Sequence, residues 1–236
     1  MFLDRYHQLA DGVVRISEEQ GSLFAKEVAG DFNPIHDPGA RRYCVPGDLL
    51  FALMLGHYGL FTRMTFYFRG MVPGDLPLIM PPDDGDTLTL ADAGGRVYLE
   101  VERGGEGVRD PAVIEAFVRR YAAFSGRNFP EFLEPLMQAR GMMFNPDRPL
   151  VIYDSMAFEL TSAVSPDVTM DLTEATLDVT GKRGEEYLRF GVHGGGGQIG
   201  DGTKRVVVSG LQPLDEKRLQ DFVDDYTARR EAFIAQ

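Results

Sequence analysis

Asp31 and His36 stand five residues apart in the run Asp31-Phe32-Asn33-Pro34-Ile35-His36. A carboxylate beside an imidazole tunes the ring near neutral pH, so the pair suits general acid–base chemistry, the movement of protons to and from a reacting group. Such work needs both side chains held still. Ser17, with Gln20 three residues on, reads as a capping box that starts a helix, and Leu23, Phe24 and Val28 give that helix one apolar stripe. Gly30 is placed to end it. Asn33-Pro34 prevents the helix from resuming, because the residue before proline is pushed out of the helical region. Asp31 and His36 are therefore expected on a constrained loop, with Asn33 and Pro34 supporting it through side-chain hydrogen bonds and a fixed backbone.

A second element must close the site. After Val45-Pro46-Gly47-Asp48, the residues Leu49, Leu50, Phe51, Leu53, Met54, Leu55 and Tyr58 are apolar on every face. A helix of that kind is wrapped by a sheet rather than laid on a surface.

The run Phe24-Ala25, Gly30-Asp31, Asn33-Pro34-Ile35-His36 resembles the signature of the MaoC-like dehydratases, or (R)-specific enoyl-CoA hydratases. The resemblance is local and covers about 25 residues. It implies a hot-dog fold, an antiparallel sheet around a central helix, and action on acyl thioesters. It also implies that Asp31 and His36 hold and activate the water that adds across the enoyl double bond. A backbone N–H at the start of the central helix would stabilise the enolate, which assigns the oxyanion hole to Gly47. The lack of a Cβ there would let a carbonyl approach closely. The substrate is expected to bring its own coenzyme A or acyl carrier, with no separate cofactor and no metal. An acyl carrier protein is a further expected partner. Arg41 and Arg42 read first as a solvated arginine pair, with a cationic rim for the phosphates of coenzyme A as the alternative, and Phe32, Tyr43 and Phe51 would shape the pocket.

The sequence departs from the resembled pattern in three ways. Ten residues separate His36 from Gly47, a short connection; Pro46 stands where histidine is common; and Asp48 places an acid in the first helical turn, favoured by the dipole but opposed to a developing enolate. These departures leave two alternatives open: thioester hydrolysis on the same fold, and noncatalytic binding of an acyl ligand or a scaffold role. Over more of its length the chain resembles an uncharacterised bacterial family carrying GDFNPIH followed by VPGDL, which brings no function.

The whole chain sets outer bounds. Its 236 residues, 44% of them apolar, suffice for one large domain or two small ones. Thirty-six acidic residues against 24 basic give a formal net charge of −12, which argues against nonspecific nucleic-acid binding. No apolar run approaches membrane-spanning length, and the polar start lacks a secretory core, so a cytoplasmic protein is expected, with a homodimer among its expected states. Cys44, the single cysteine, excludes an internal disulfide and reads as a small filler.

Beyond the wrapped helix, Met64–Arg69, Thr87–Ala91 and Arg96–Arg103 read as strands of an antiparallel meander, with Glu106–Asp110 as a short edge. Residues 1–110 are thus expected to form one hot-dog unit. The pattern then begins again: a shift of 96 residues lays Gly30 on Gly126 and Pro34 on Pro130, while Arg127 and Phe132 replace Asp31 and His36. Strand-like runs at Ala157–Thr161, Glu174–Thr180, Tyr187–Val192 and Thr203–Ser209 follow. The expected architecture is α+β, a double hot dog, with a degenerate second unit over residues 111–212 and an amphipathic helix over 213–236. Gly195-x-Gly197-x-x-Gly200 matches a dinucleotide fingerprint by letter, but it lies between strands and reads as a hairpin. Asp83, Asp84 and Asp86 read as an acidic turn. His7, His57 and His193 have no ligand partner at useful spacing.

Overall fold

A computed structural model describes residues 2–235; Met1 and Gln236, the ends of the first and last expected segments, lie outside it. Strands β1 (Gln8–Ala10) and β2 (Val13–Arg15) lead into helix α1 (Glu18–Phe24). The capping box forms as read: Gln20 N–H donates to Ser17 Oγ at 3.2 Å, and Ser17 N–H donates back to Gln20 Oε1 at 3.1 Å. Ser17→Ala is expected to lower stability by about 1 kcal/mol, read as an earlier urea midpoint. A π-helical turn, Ala25–Ala29, extends α1, and Gly30 ends it in the left-handed region at φ 67°.

Helix α2 (Gly47–Tyr58) is buried along nearly its whole length, with only Gly47, Gly56 and His57 showing partial or full exposure. Its Phe51 meets Phe66 of β3 (Leu60–Phe68) edge to face at 5.0 Å. The first half continues through β4 (Leu78–Ile79), β5 (Thr87–Asp92) and β6 (Val97–Val108). The second half supplies α3 (Pro111–Gly126), α4 (Leu133–Ala139), β7 (Met142–Met143), β8 (Leu150–Leu160), β9 (Thr169–Thr180), β10 (Arg183–Gly194) and β11 (Gly197–Ser209). A short β12 (Gln212–Pro213) pairs with β7, and α5 (Glu216–Ile234) ends the described chain.

Ten strands of the described residues form one sheet in the order β1-β2-β4-β5-β6-β3-β8-β11-β10-β9. Outward from the centre, the first half runs β3-β6-β5-β4 and the second β8-β11-β10-β9, so each places its first, fourth, third and second strands in that order. That repeated topology around a wrapped helix defines a double hot dog. The halves join edge to edge through antiparallel β3 and β8, with Thr65 opposite Ala157. Helix α3 supplies the second half's inner packing through Phe117 against Phe158 and Tyr121 and Phe124 against Phe190.

Several local expectations need correction. β5 and β6 pair as the expected meander has them, but β3 pairs with β6 and not with β5, because the last strand returns beside the first. Glu106–Val108 is no separate edge but the end of the twelve-residue β6. Gly30 and Gly126 also serve different ends. Gly30 supplies positive φ, whereas a Cβ on Gly126 would lie 2.0 Å from the Ala29 carbonyl oxygen, so that glycine permits α3 to cross the end of the π-turn. The Gly195–Gly200 segment is the β10–β11 hairpin, as read.

Candidate active site

The loop after Gly30 is built from its own side chains. Asn33 N–H donates to Asp31 Oδ1 at 2.9 Å, and Asn33 Oδ1 accepts from Ile35 N–H at 3.2 Å, capping a 3-10 turn over Pro34–His36. His36 Nδ1 lies 2.6 Å from the Cys44 carbonyl oxygen. A carbonyl only accepts, so Nδ1 carries the hydrogen and the neutral ring presents a bare Nε2. Nε2 faces Asp31 Oδ2 at 3.6 Å. Two acceptors thus converge where a water can donate to both.

Asp31 is also held from the far end of the chain. Tyr226, on α5, accepts from Phe32 N–H at 2.9 Å, and its hydroxyl lies 3.3 Å from Asp31 Oδ1 and 3.5 Å from Gly30 O. Burial, then the Asp31 charge, drives the Tyr226 phenol well above its ordinary value, so it stays a protonated donor. Arg229 of the same helix donates to Phe32 O at 3.3 Å and pairs with Asp37, which Lys26 also reaches at 2.9 Å. The C-terminal helix therefore packs across the body and carries a side chain to the site, which its sequence did not suggest. Tyr226→Phe, which leaves the buried Phe32 N–H without its acceptor, is expected to lower stability by ~1–3 kcal/mol, read as an earlier urea midpoint.

Asp31, Asn33, His36 and Gly47 line one cavity of about 110 Å3, which at ~10–15 Å3 per water has room for several. Gly47 N–H heads α2, and among the described residues it has no hydrogen-bond partner. A Cβ on Gly47 would come 2.8 Å from Tyr153 and 3.1 Å from Phe68, two rings stacked at 4.3 Å. The glycine is thus required by that ring pair.

The other expected pocket residues lie elsewhere. Arg41 and Arg42 are exposed and outside the cavity lining. Phe32 packs edge-on to Tyr226 and Phe233, and Phe51 is fully enclosed between Phe66 and Tyr121. Tyr43 is buried over Gly21, where a Cβ would meet its hydroxyl at 2.1 Å. Pro34 and Cys44 flank the pair; burial pushes the Cys44 thiol up to about 11, so it is no ready nucleophile. Asp83 pairs with Arg103 and Arg109, His7 bonds to Leu3 O and His193 to Asp171. Among the described residues no group of three His, Cys, Asp or Glu is placed to hold a metal.

The same cavity lining includes Ser125, Asn128, Tyr153 and Lys204, which the sequence reading missed. Lys204 on β11 donates to Ser125 Oγ at 2.6 Å and to Ser125 O at 3.4 Å, and its Nζ lies 4.4 Å from the Tyr153 ring centre. Tyr153 and Tyr121 share a short hydroxyl contact. Asn128 donates to Glu186 Oε2 at 2.9 Å. Burial raises the Asp48 carboxyl, with Lys204 and Ser125 opposing, and pushes Glu186 up to about 7, with Asn128 and Lys204 opposing. Strand alternation was the available signal: Lys204 shares inward parity with Gly202, Val206 and Val208, and Glu186 with Gly184, Leu188 and Phe190.

Fold and site together define a double hot-dog protein with an Asp–His loop and buried polar residues lining one cavity. The chain matches the model of the family described as Protein of unknown function (DUF3581) over residues 1–217, and it belongs to that family. Tyr226 and Arg229 lie beyond the matched stretch. No curated protein matches. Among solved structures, a conserved hot-dog protein of unknown function from Alicyclobacillus acidocaldarius aligns with TM-score 0.48 and 11% identity, covering 91% of this chain and 99% of that one. The acyl-CoA thioesterase II TesB2 from Mycobacterium marinum aligns with TM-score 0.41 and 11% identity, covering 92% and 99%. A protein assigned as a MaoC domain dehydratase from Chloroflexus aurantiacus aligns with TM-score 0.43 and 11% identity, covering 89% and 94%. Among the described residues no helix is long and apolar enough to cross a membrane.

Proposed function

We propose that this protein hydrates an enoyl thioester, or runs the reverse dehydration of a 3-hydroxyacyl thioester. The observation that carries the reading is the commitment of His36 Nδ1 to the Cys44 carbonyl, which leaves Nε2 and Asp31 Oδ2 facing each other on the cavity wall. A water placed between them donates one hydrogen to each. As its oxygen bonds to C3, one proton passes to His36 Nε2, and the electron pair of the C2–C3 double bond moves through C2 onto the thioester oxygen. The free Gly47 N–H stabilises that enolate, and the imidazolium returns its proton to C2.

The test is the decay of the ultraviolet absorbance of conjugated enoyl-CoA thioesters of several lengths, with His36→Ala alongside. Decay that His36→Ala abolishes supports the reading. Release of free thiol in place of hydration moves the assignment to hydrolysis, and a flat trace at every length from folded protein sinks both.

A further inference from the structure

The cavity is lined from both of the protein's hydrophobic cores. Phe68 and Tyr153 reach it from the larger core, and Phe129, Phe144 and Phe222 from the smaller one. Phe129 and Phe222 stand edge to face at 5.4 Å, Phe144 meets them at 5.4 and 5.1 Å, and Tyr226 joins Phe129 edge to face at 5.3 Å. This cluster begins one side chain away from the chemistry, since the hydroxyl of the same Tyr226 lies 3.3 Å from Asp31 Oδ1. Three separate segments supply it. Phe129 comes from a break in the helical run between α3 and α4, where its backbone is extended at φ −118° and ψ 131°; Phe144 follows β7; and α5 brings Phe222 and Tyr226. Phe144 and Tyr226 are buried, whereas Phe129 and Phe222 line the cavity and are only partly buried. Interiors are close-packed, so apolar rings left partly uncovered along a cavity mark a place for a ligand.

We propose that the acyl chain carries an aromatic ring seated against Phe129 and Phe222, so that the substrates are arylacyl thioesters; the inference rests on the acyl-thioester reading above. Burial of apolar area alone would favour an alkyl chain as readily as a ring. Two effects separate them. Aromatic rings attract one another beyond their buried area when the edge of one meets the face of the next, and the cluster already holds that arrangement, so a further ring extends it. A ring is also rigid, whereas a linear chain loses rotamer freedom when it is ordered in a pocket. The space agrees with the chemistry: a cavity of about 110 Å3 is of the same order as the engineered cavity of ~150 Å3 that takes up benzene.

The experiment is calorimetric titration of the full chain with 3-phenylpropanoyl-CoA, 3-cyclohexylpropanoyl-CoA and hexanoyl-CoA. None has an enoyl double bond to hydrate, and free thiol is monitored so that hydrolysis is not read as binding. The first two probes match in length and differ in whether the ring has a π face. The phenyl probe is expected to bind tenfold or more tightly than either of the others, a margin of about 1.4 kcal/mol. In Phe129→Leu and Phe222→Leu, each checked for folding by a thermal melt, that margin should fall to about threefold or less while hexanoyl-CoA binds as it does to the parent. The comparison in the parent protein needs neither variant to fold. Affinities there that do not favour the phenyl probe, or a margin that persists in the folded variants, would overturn the inference and leave the thioester reading standing. Failure of all three probes to bind would overturn both.

Discussion

Asp31→Asn is expected to fold like the parent protein and to lose about 10²–10⁴ in turnover of enoyl thioesters, the range a positioned acid–base group contributes. The substitution keeps what the loop needs. An asparagine Oδ1 still accepts from Asn33 N–H, now at 2.9 Å, and still faces the Tyr226 hydroxyl. What changes is the second atom. Oδ2 becomes an NH2 group 3.6 Å from His36 Nε2, close enough after a small rotation to donate to the lone pair that must receive the proton of water. One change therefore removes an acceptor for the water and occupies the other. Turnover assayed beside a thermal melt checks both halves of the expectation: an unchanged melting temperature with lost activity supports the assignment, and undiminished turnover removes Asp31 from the reaction.

The loop was legible because its signals are local. Ser17 and Gln20, Gly30, and Asn33-Pro34 each act within four residues, and each forms the cap, stop or turn its chemistry requires. The wrapped helix was legible as well, since apolar side chains cover every face of Leu49–Leu55. Strand ends were less so. β6 runs through Gly104, Gly105 and Gly107, residues without β propensity, because pairing with β3 supplies the order that their side chains do not. Nearby aromatics misled for a related reason: Phe32, Tyr43 and Phe51 lie close to the motif in sequence but pack into the core, which claims large apolar rings before a pocket does. Tyr226 was out of reach altogether. It meets Asp31 across 195 residues, through a helix whose own pattern is that of an ordinary amphipathic stripe. Lys204 and Glu186 were visible only as charged residues at inward positions of alternating strands, a conflict between polarity and parity that marks a buried polar site.

Glu186→Gln is expected to make the protein more stable above neutral pH and to change it little in acid. The enclosed Glu186 carboxyl is pushed by burial from 4.5 to about 7, so the folded state holds a proton that the unfolded chain has released. Below about 4.5 both states are protonated and the side chain costs nothing on this account. Between about 4.5 and about 7 the unfolded state binds fewer protons than the folded one, so stability falls as pH rises. Above about 7 the loss is complete, on the order of 3 kcal/mol, with Lys204 and Asn128 already offsetting part of the burial cost. Glutamine is nearly the same size, keeps an oxygen to accept from Asn128 and does not ionise. Urea unfolding at pH 8 and at pH 4.5 should therefore show the variant ahead at the higher pH by up to roughly 3 kcal/mol, with the gap closing at the lower. A variant less stable at pH 8 would mean that the Glu186 carboxylate is held charged by Lys204.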